Sequence, residues 1–316
     1  MRPFRFLAGA TEPISAREFA ERVRRAEAYG FDTLVFPDHL VEQLAPVPAM
    51  AMVAALSDRL RISPFVLNND LRHPAVLGHD LATLDLLSDG RLDIAIGAGW
   101  NRPEYEAIGM TYDASATRVS RLEEGIRVLK GYFADGPFSF SGEHYTITEL
   151  DGHPKPVQRP HPPFMIGGGA RRILELAARE AQIVGLAPRA GRDGRGDNAS
   201  LTWEATVEKI GWVRSAAGDR FEDLELNVYP SRVEPRITDD ARAALREAAD
   251  EIGARSGDRP DEEALRQSPH IWIGSLDELT EKALRLRAEL GISSLMLGEV
   301  DELAPLVERL AGRLQP

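Results

Sequence analysis

Residues 164–186 read Phe164-Met165-Ile166-Gly167-Gly168-Gly169-Ala170-Arg171-Arg172-Ile173-Leu174-Glu175-Leu176-Ala177-Ala178-Arg179-Glu180-Ala181-Gln182-Ile183-Val184-Gly185-Leu186. A short apolar run meets three glycines, then a segment of helical periodicity from Arg171 to Ala181, then a second apolar run. That is one strand, a tight turn, one helix and the start of the next strand, the repeating unit of a buried parallel sheet.

The same alternation extends in both directions. Upstream, Phe4–Ala8, Thr33–Phe36, Ile62–Leu67 and Leu92–Ile96 read as strands one to four, with Phe164–Ile166 the fifth. Downstream, Ile183–Leu186, Leu224–Tyr229 and Ser294–Leu297 complete eight. Helices fall between them at Pro74–Leu87, Arg118–Phe133, Arg171–Ala181 and Thr202–Ser215. Ser15 with Glu18 and Ser275 with Glu278 have the spacing of capping boxes, and Gly30 and Gly291 stop the helices that these open. Eight βα units predict an α/β chain folded as a (β/α)8 TIM barrel. An open doubly wound sheet is the rival, but its fingerprint is missing, because Gly97-Ala98-Gly99 leads to Arg102 where a third glycine belongs.

Two connections are too long for turns and predict insertions after strands four and seven, at about residues 137–162 and 232–270. The first pairs Phe138-Ser139-Phe140 with His144-Tyr145-Thr146 as a hairpin and continues into a proline-rich stretch from Pro154 to Pro163. With these insertions, residues 1–316 are expected to form a single domain.

Composition narrows the function. The chain is 43% hydrophobic and 28% charged, as in a globular domain with a sizeable core. A formal charge of -12 repels phosphate backbones and anionic membranes, so nucleic acid and membrane are not expected partners. The absence of cysteine excludes disulfides, iron–sulfur clusters and thiolate chemistry, and fits a cytoplasmic protein. Seven histidines without a zinc spacing predict no metal. No apolar run is long enough to span a bilayer.

In a barrel the chemistry is expected just beyond the C-terminal ends of the strands. Asp38 and His39 follow strand two, and an imidazole titrating near neutrality beside a carboxylate can exchange protons. Gly167, Gly168, Gly169 and Ala170 follow strand five and lead into a helix, where exposed backbone N–H groups and the positive end of the helix attract a phosphate. Arg171 and Arg172 strengthen that anion site. Trp100, after strand four, offers a flat apolar wall to a substrate. A flexible glycine turn, a capping aspartate and a core-capping tryptophan are the purely structural readings of the same residues.

Phe36-Pro37-Asp38-His39-Leu40, Leu67-Asn68-Asn69-Asp70 with Arg72-His73-Pro74, Asp89-Gly90-Arg91-Leu92, Gly97-Ala98-Gly99-Trp100-Asn101, Glu104-Tyr105-Glu106-Ala107-Ile108-Gly109 and Ile166-Gly167-Gly168-Gly169-Ala170 follow one another in chain order. This ordered set resembles the bacterial-luciferase-like superfamily, and within it the F420-dependent actinobacterial branch. The resemblance implies a barrel carrying F420 or FMN, with Asn68, Asn69, Gly97 and Gly99 near the ring, the phosphate on Gly167–Arg172, and Asp38-His39 at the reactive edge. It also implies a homodimer and a non-prolyl cis peptide in strand three, in the region Ser63 to Val66. Pro64 lies in that region, so which bond is cis stays open. One departure is plain: Trp100 stands where F420-dependent sugar-phosphate dehydrogenases carry a glutamate, which argues against sugar-phosphate oxidation.

Three readings follow. The leading one is an F420-dependent oxidoreductase moving a hydride between the deazaflavin and a small organic substrate, reducing an activated C=C or C=N bond. Here Arg189, Arg192 and Arg195 would meet the polyglutamate tail that F420 adds to its phosphate. The second is an FMN-dependent monooxygenase supplied with reduced flavin by a partner reductase. The third is a non-catalytic barrel that binds a ligand.

Overall fold

The computed structural model describes residues 2–189 and 197–311. In chain order its strands are β1 (Arg5–Gly9), β2 (Thr33–Phe36), β3 (Arg61–Pro64), β4 (Leu67–Asn68), β5 (Ile94–Gly97), β6 (Phe138–Ser141), β7 (Thr146–Leu150), β8 (Phe164–Gly168), β9 (Ile183–Leu186), β10 (Glu225–Val228), β11 (Arg236–Ile237), β12 (Ile273–Gly274) and β13 (Ile292–Glu299). All eight expected strands form. The third is divided into β3 and β4, with a cis peptide at Phe65–Val66, one residue beyond Pro64.

Nine strands join in one sheet in the order β3-β2-β1-β13-β10-β9-β8-β5-β4. The order begins and ends on the two halves of the same expected strand, as the (β/α)8 barrel class requires. The registered pairs β1–β13, β10–β13, β9–β10 and β4–β5 are parallel.

Chain contacts divide the molecule into two compact units. The first comprises Met1–Ala10, Glu21–Thr33 and Ile166–Pro316. Its strands are buried almost without alternation, through Phe6, Leu7, Val184, Leu186, Leu226, Val228, Ile292 and Leu295. Strands covered on both faces need such continuous apolar runs, which is why the sequence displays them so clearly. The second insertion lies in this unit. Its two short strands β11 and β12 pair in parallel, and Ala244, Leu245, Ala248, Ala249, Ile252, Leu265, Ile271 and Ile273 form a core of their own. The Ser275 capping box closes as expected, and the helix it opens ends on Gly291 at φ +68.

The second unit comprises Thr11–Ala20 and Leu34–Met165. Helix Ser115–Phe133 buries Leu122, Ile126, Leu129 and Phe133. The expected hairpin forms as antiparallel β6–β7. Its turn is held by one side chain: the buried Glu124 carboxylate accepts the backbone N–H groups of Glu143, His144 and Tyr145 at 2.8, 2.8 and 3.1 Å. A Cβ on Gly142 would lie 2.3 Å from Glu124 Oε2, so only glycine lets the turn close this tightly on the carboxylate. The proline-rich stretch that follows is anchored by buried Asp85, which accepts the Gln158 backbone N–H at 3.0 Å and its side-chain amide at 2.7 Å.

Candidate active site

β2 delivers Pro37, Asp38 and His39 to its C-terminal end. Asp38 is buried, with 5% of its surface exposed. It was expected to orient His39, and it does not. Its carboxylate takes the Arg72 guanidinium through both oxygens, at 2.6 and 3.0 Å, and accepts the Asn68 backbone N–H at 3.0 Å. A buried carboxylate needs a cation and N–H donors around it, and the charged fork of Arg72 is a better partner than its neighbour's imidazole.

His39 pairs instead with Glu104 of helix Arg102–Ala107. Its Nδ1 lies 3.1 Å from both Glu104 oxygens. The proton on Nδ1 therefore faces the carboxylate, and Nε2 is the ring nitrogen left to exchange a proton. Burial alone pushes the Glu104 carboxyl up. The hydrogen bond and charge of His39, with the Asn101 side chain and the Leu40 N–H, overcome that and hold it below the usual carboxylate value. The Trp100 ring stands edge-on to His39, with ring centres 5.4 Å apart at 79°, and 65% of the tryptophan remains exposed.

Behind this pair lies a buried polar network. The Tyr105 hydroxyl is 3.0 Å from both Asn68 Oδ1 and Asp70 Oδ2, and Arg121 Nη1 reaches Asp70 Oδ2 at 2.9 Å. Burial pushes the Tyr105 hydroxyl well above its usual range, so it stays protonated as a donor. Gly99, at φ +73, makes room for this network: a Cβ there would sit 2.0 Å from the Tyr105 oxygen and 2.6 Å from Asn68 Oδ1. A Cβ on Gly97 would approach Val66 Cγ2 to 2.9 Å. Asn69 is 1% exposed and donates to the Tyr145 hydroxyl at 3.1 Å. Asn68, Asn69, Gly97 and Gly99 were expected at a cofactor ring; each has a partner or neighbour within the protein that accounts for its residue type.

The first unit holds the glycine loop. β8 ends on Gly168, and helix Arg171–Glu180 starts after Ala170, which supplies no side-chain cap to the first N–H groups. A Cβ on Gly169 would lie 2.6 Å from the Arg189 nitrogen, and one on Gly168 would lie 2.3 Å from Ile173 Cγ2. Gly167 faces the Gly185 backbone, its added Cβ 3.2 Å from that carbonyl oxygen. Arg171, expected to face an anion, bonds Glu175 at 2.7 Å one turn along its own helix. Arg172 is exposed. Arg189 pairs with Asp197 at 3.4 Å, and its N–H donates to Ser200 Oγ at 2.9 Å. Arg192 and Arg195 lie outside the described residues. Lys209, 1% exposed, donates to the Ser200 carbonyl at 2.9 Å; burial and then the Arg189 charge bring its ammonium down to about 8.

The family model of the luciferase-like monooxygenases matches residues 2–253. The chain belongs to that family. Among curated relatives of this luciferase-like chain, the FMNH2-dependent dimethylsulfone monooxygenase of Pseudomonas putida is 32% identical over 166 residues, 52% of this chain and 43% of the relative. The F420-dependent glucose-6-phosphate dehydrogenase of Kineococcus radiotolerans is 30% identical over 168 residues, 51% of this chain and 49% of the relative. The chain thus matches less than half the length of either. A solved structure, the coenzyme F420 dependent tetrahydromethanopterin reductase from Methanopyrus kandleri, superposes with TM-score 0.75 over 98% of both chains at 16% identity, which shows the fold alone. Luciferase-like relatives therefore include both F420-dependent dehydrogenases and FMNH2-dependent monooxygenases.

Arg72, Glu104 and Tyr105 stand within the motifs that carry the resemblance, but the sequence assigned none of them a role in the candidate site. The one local signal for Glu104 is its place in the first turn of a helix opened by Arg102-Pro103 beyond the strand-four glycines. Nothing local ties it to His39.

Proposed function

We propose that the protein is an F420-dependent oxidoreductase that moves a hydride between the deazaflavin and a small organic substrate, with reduction of an activated C=C or C=N bond as the preferred direction. The observation that carries the reading is the His39–Glu104 pair, a histidine whose tautomer is set by a carboxylate at a strand end, with the exposed Trp100 ring against it.

The glycine loop fits an anionic group. Its close approach to the Pro188–Arg189 backbone excludes side chains, and the uncapped N–H groups of helix Arg171–Glu180 have no side-chain acceptor at Ala170. Gly167, Gly168, Gly169, Ala170 and Arg172 would hold a cofactor phosphate, with Arg189 supplying positive charge nearby. When bound, the reduced deazaflavin supplies a hydride. His39 Nε2 gives up the proton that balances the hydride on the substrate, and takes it back in the reverse direction. Glu104 stabilises the imidazolium and keeps Nδ1 turned away from the reacting atom. Trp100 packs against an apolar substrate, since indole cannot act as an acid near neutrality. Asp38 supports the site by fixing Arg72 and the start of the Asn68 turn.

The second reading, an FMN-dependent monooxygenase, is favoured by the dimethylsulfone monooxygenase matches, which name FMNH2, and by the monooxygenase description of the family model. On the family resemblance alone we further propose a single-domain cytoplasmic homodimer, with a partner reductase supplying reduced cofactor. An assay separates the two chemistries. Reduced F420 with a panel of enones and imines under anaerobic conditions should be reoxidised by the protein, whereas activity that needs FMNH2 and oxygen would favour the second reading.

A further inference from the structure

The segment that carries Trp100 is fixed at three successive residues. Arg118 Nε donates to the Gly99 carbonyl at 3.4 Å, the Tyr112 hydroxyl donates to the Trp100 carbonyl at 3.0 Å, and the Asn101 side chain hydrogen-bonds Glu104. The Trp100 carbonyl also accepts the Arg102 N–H at 3.0 Å, where helix Arg102–Ala107 begins. Tyr112 and Arg118 grip each other as well. The Arg118 guanidinium lies 4.0 Å from the centre of the Tyr112 ring, and its Nη1 donates to the Asp113 carbonyl. The Tyr112 ring meets that of Tyr105 edge-on, with centres 5.1 Å apart at 82°.

Arg118 is 6% exposed and is the fourth residue of helix Ser115–Phe133, where a cation faces the positive end of the helix. A buried charge in that place needs partners, and among the described residues no carboxylate pairs with it. Its partners are two backbone carbonyls and an aromatic face, all in the stretch from Gly99 to Asp113. The charge therefore holds the shape of that stretch. Trp100 gains most from this, because its ring is largely exposed and stands edge-on to His39, so packing alone does not keep it in place. A wall fixed in advance spares a substrate the cost of ordering it.

We infer that Tyr112 and Arg118 are positioning residues: they hold Trp100 as a preformed wall beside His39 and so set how tightly an apolar substrate fits, without touching the reacting atoms. Tyr112 supplies the hydroxyl that fixes the Trp100 carbonyl. Arg118 keeps the Tyr112 ring and the Gly99 carbonyl in register. The inference rests on the F420 reading for the reaction in which that fit is measured, and the clamp itself is read without it.

The test uses the full chain labelled with ring-fluorinated tryptophan. Its four tryptophans give four fluorine resonances, and Trp100→Phe assigns one of them. In ligand-free protein, Tyr112→Phe removes one hydroxyl and keeps the ring; it should displace or broaden the Trp100 resonance and leave those of Trp203, Trp212 and Trp272 unchanged. Arg118→Lys, which keeps the charge but loses the planar fork, should do the same. With reduced F420 and the enone benzylideneacetone, Tyr112→Phe should raise KM about fivefold, the order expected for one hydrogen bond, with kcat held within about twofold. A Trp100 resonance that stays in place in Tyr112→Phe would overturn the clamp, and movement in Tyr112→Phe alone would remove Arg118 from it. A displaced resonance with kcat reduced and KM unchanged would overturn the role in substrate fit, since the clamp would then act through Glu104 on proton transfer. A displaced resonance in a protein that turns over no F420 would uphold the clamp and remove the cofactor reading.

Discussion

His39 and Glu104 are partners across 65 residues of chain, with Nδ1 3.1 Å from both carboxylate oxygens, while the adjacent Asp38 is bound to Arg72. Proton transfer by a positioned side chain contributes about a hundredfold to ten-thousandfold. His39→Ala should therefore lower turnover of an accepted substrate by that order, with little change in cofactor affinity. Glu104→Gln should cost less and should alter the pH profile of kcat/KM more than the KM itself. Wild-type turnover by His39→Ala would remove it as the proton-transfer group.

Asp38→Asn should show itself first in stability. Removing one partner of a buried ion pair strands the other, at about 3 kcal/mol when the remaining group is a charge. Arg72→Met leaves the Asp38 carboxylate buried and unpaired, whereas Asp38→Asn leaves a neutral amide beside a partly exposed guanidinium. Urea unfolding should rank Arg72→Met as the more damaging of the two, and the reverse order would contradict the assignment.

The pair explains why the chemistry was only half legible in the sequence. The eight strands stand out because burial on both faces makes each a continuous apolar run, and Asp38-His39 stands out by following one of them. Partner choice is a different matter. His39 has a carboxylate next to it in the chain, but backbone direction at the end of β2 sends the two side chains to different partners, Arg72 and Glu104. Gly97 and Gly99 are visible as glycines, yet the reason for Gly99 is the Tyr105 hydroxyl, which comes from the following helix.

Gly99→Ala tests that reason. The added Cβ meets both a positive φ and the Tyr105 oxygen, and the two together should cost about 2–4 kcal/mol. In the double variant with Tyr105→Phe the part of the steric cost due to the hydroxyl should be recovered, while the contact with Asn68 Oδ1 and the backbone strain persist, giving a favourable coupling in a double-mutant cycle. Strict additivity would show that the hydroxyl is not what Gly99 accommodates.

Acid should loosen the second unit in a defined window. Glu104 and Glu124 are both held below the usual carboxylate value, against the upward push of burial, by His39, Asn101 and Leu40 in one case and by the His144, Glu143 and Tyr145 N–H groups in the other. A depressed folded value gives stability that is complete above the unfolded value of about 4.3 and is lost as pH falls through the folded one. Thermal unfolding followed from pH 6 to 3 should fall less steeply in Glu124→Gln than in the wild type. An unchanged slope would mean that the hairpin turn does not depend on the charge.

Binding of the two candidate cofactors, followed by absorbance and fluorescence on the same protein preparation, separates the deazaflavin reading from the flavin one. F420 should bind at least tenfold more tightly than FMN, a difference of about 1.4 kcal/mol. Equal affinity, or tighter binding of FMN, would contradict it.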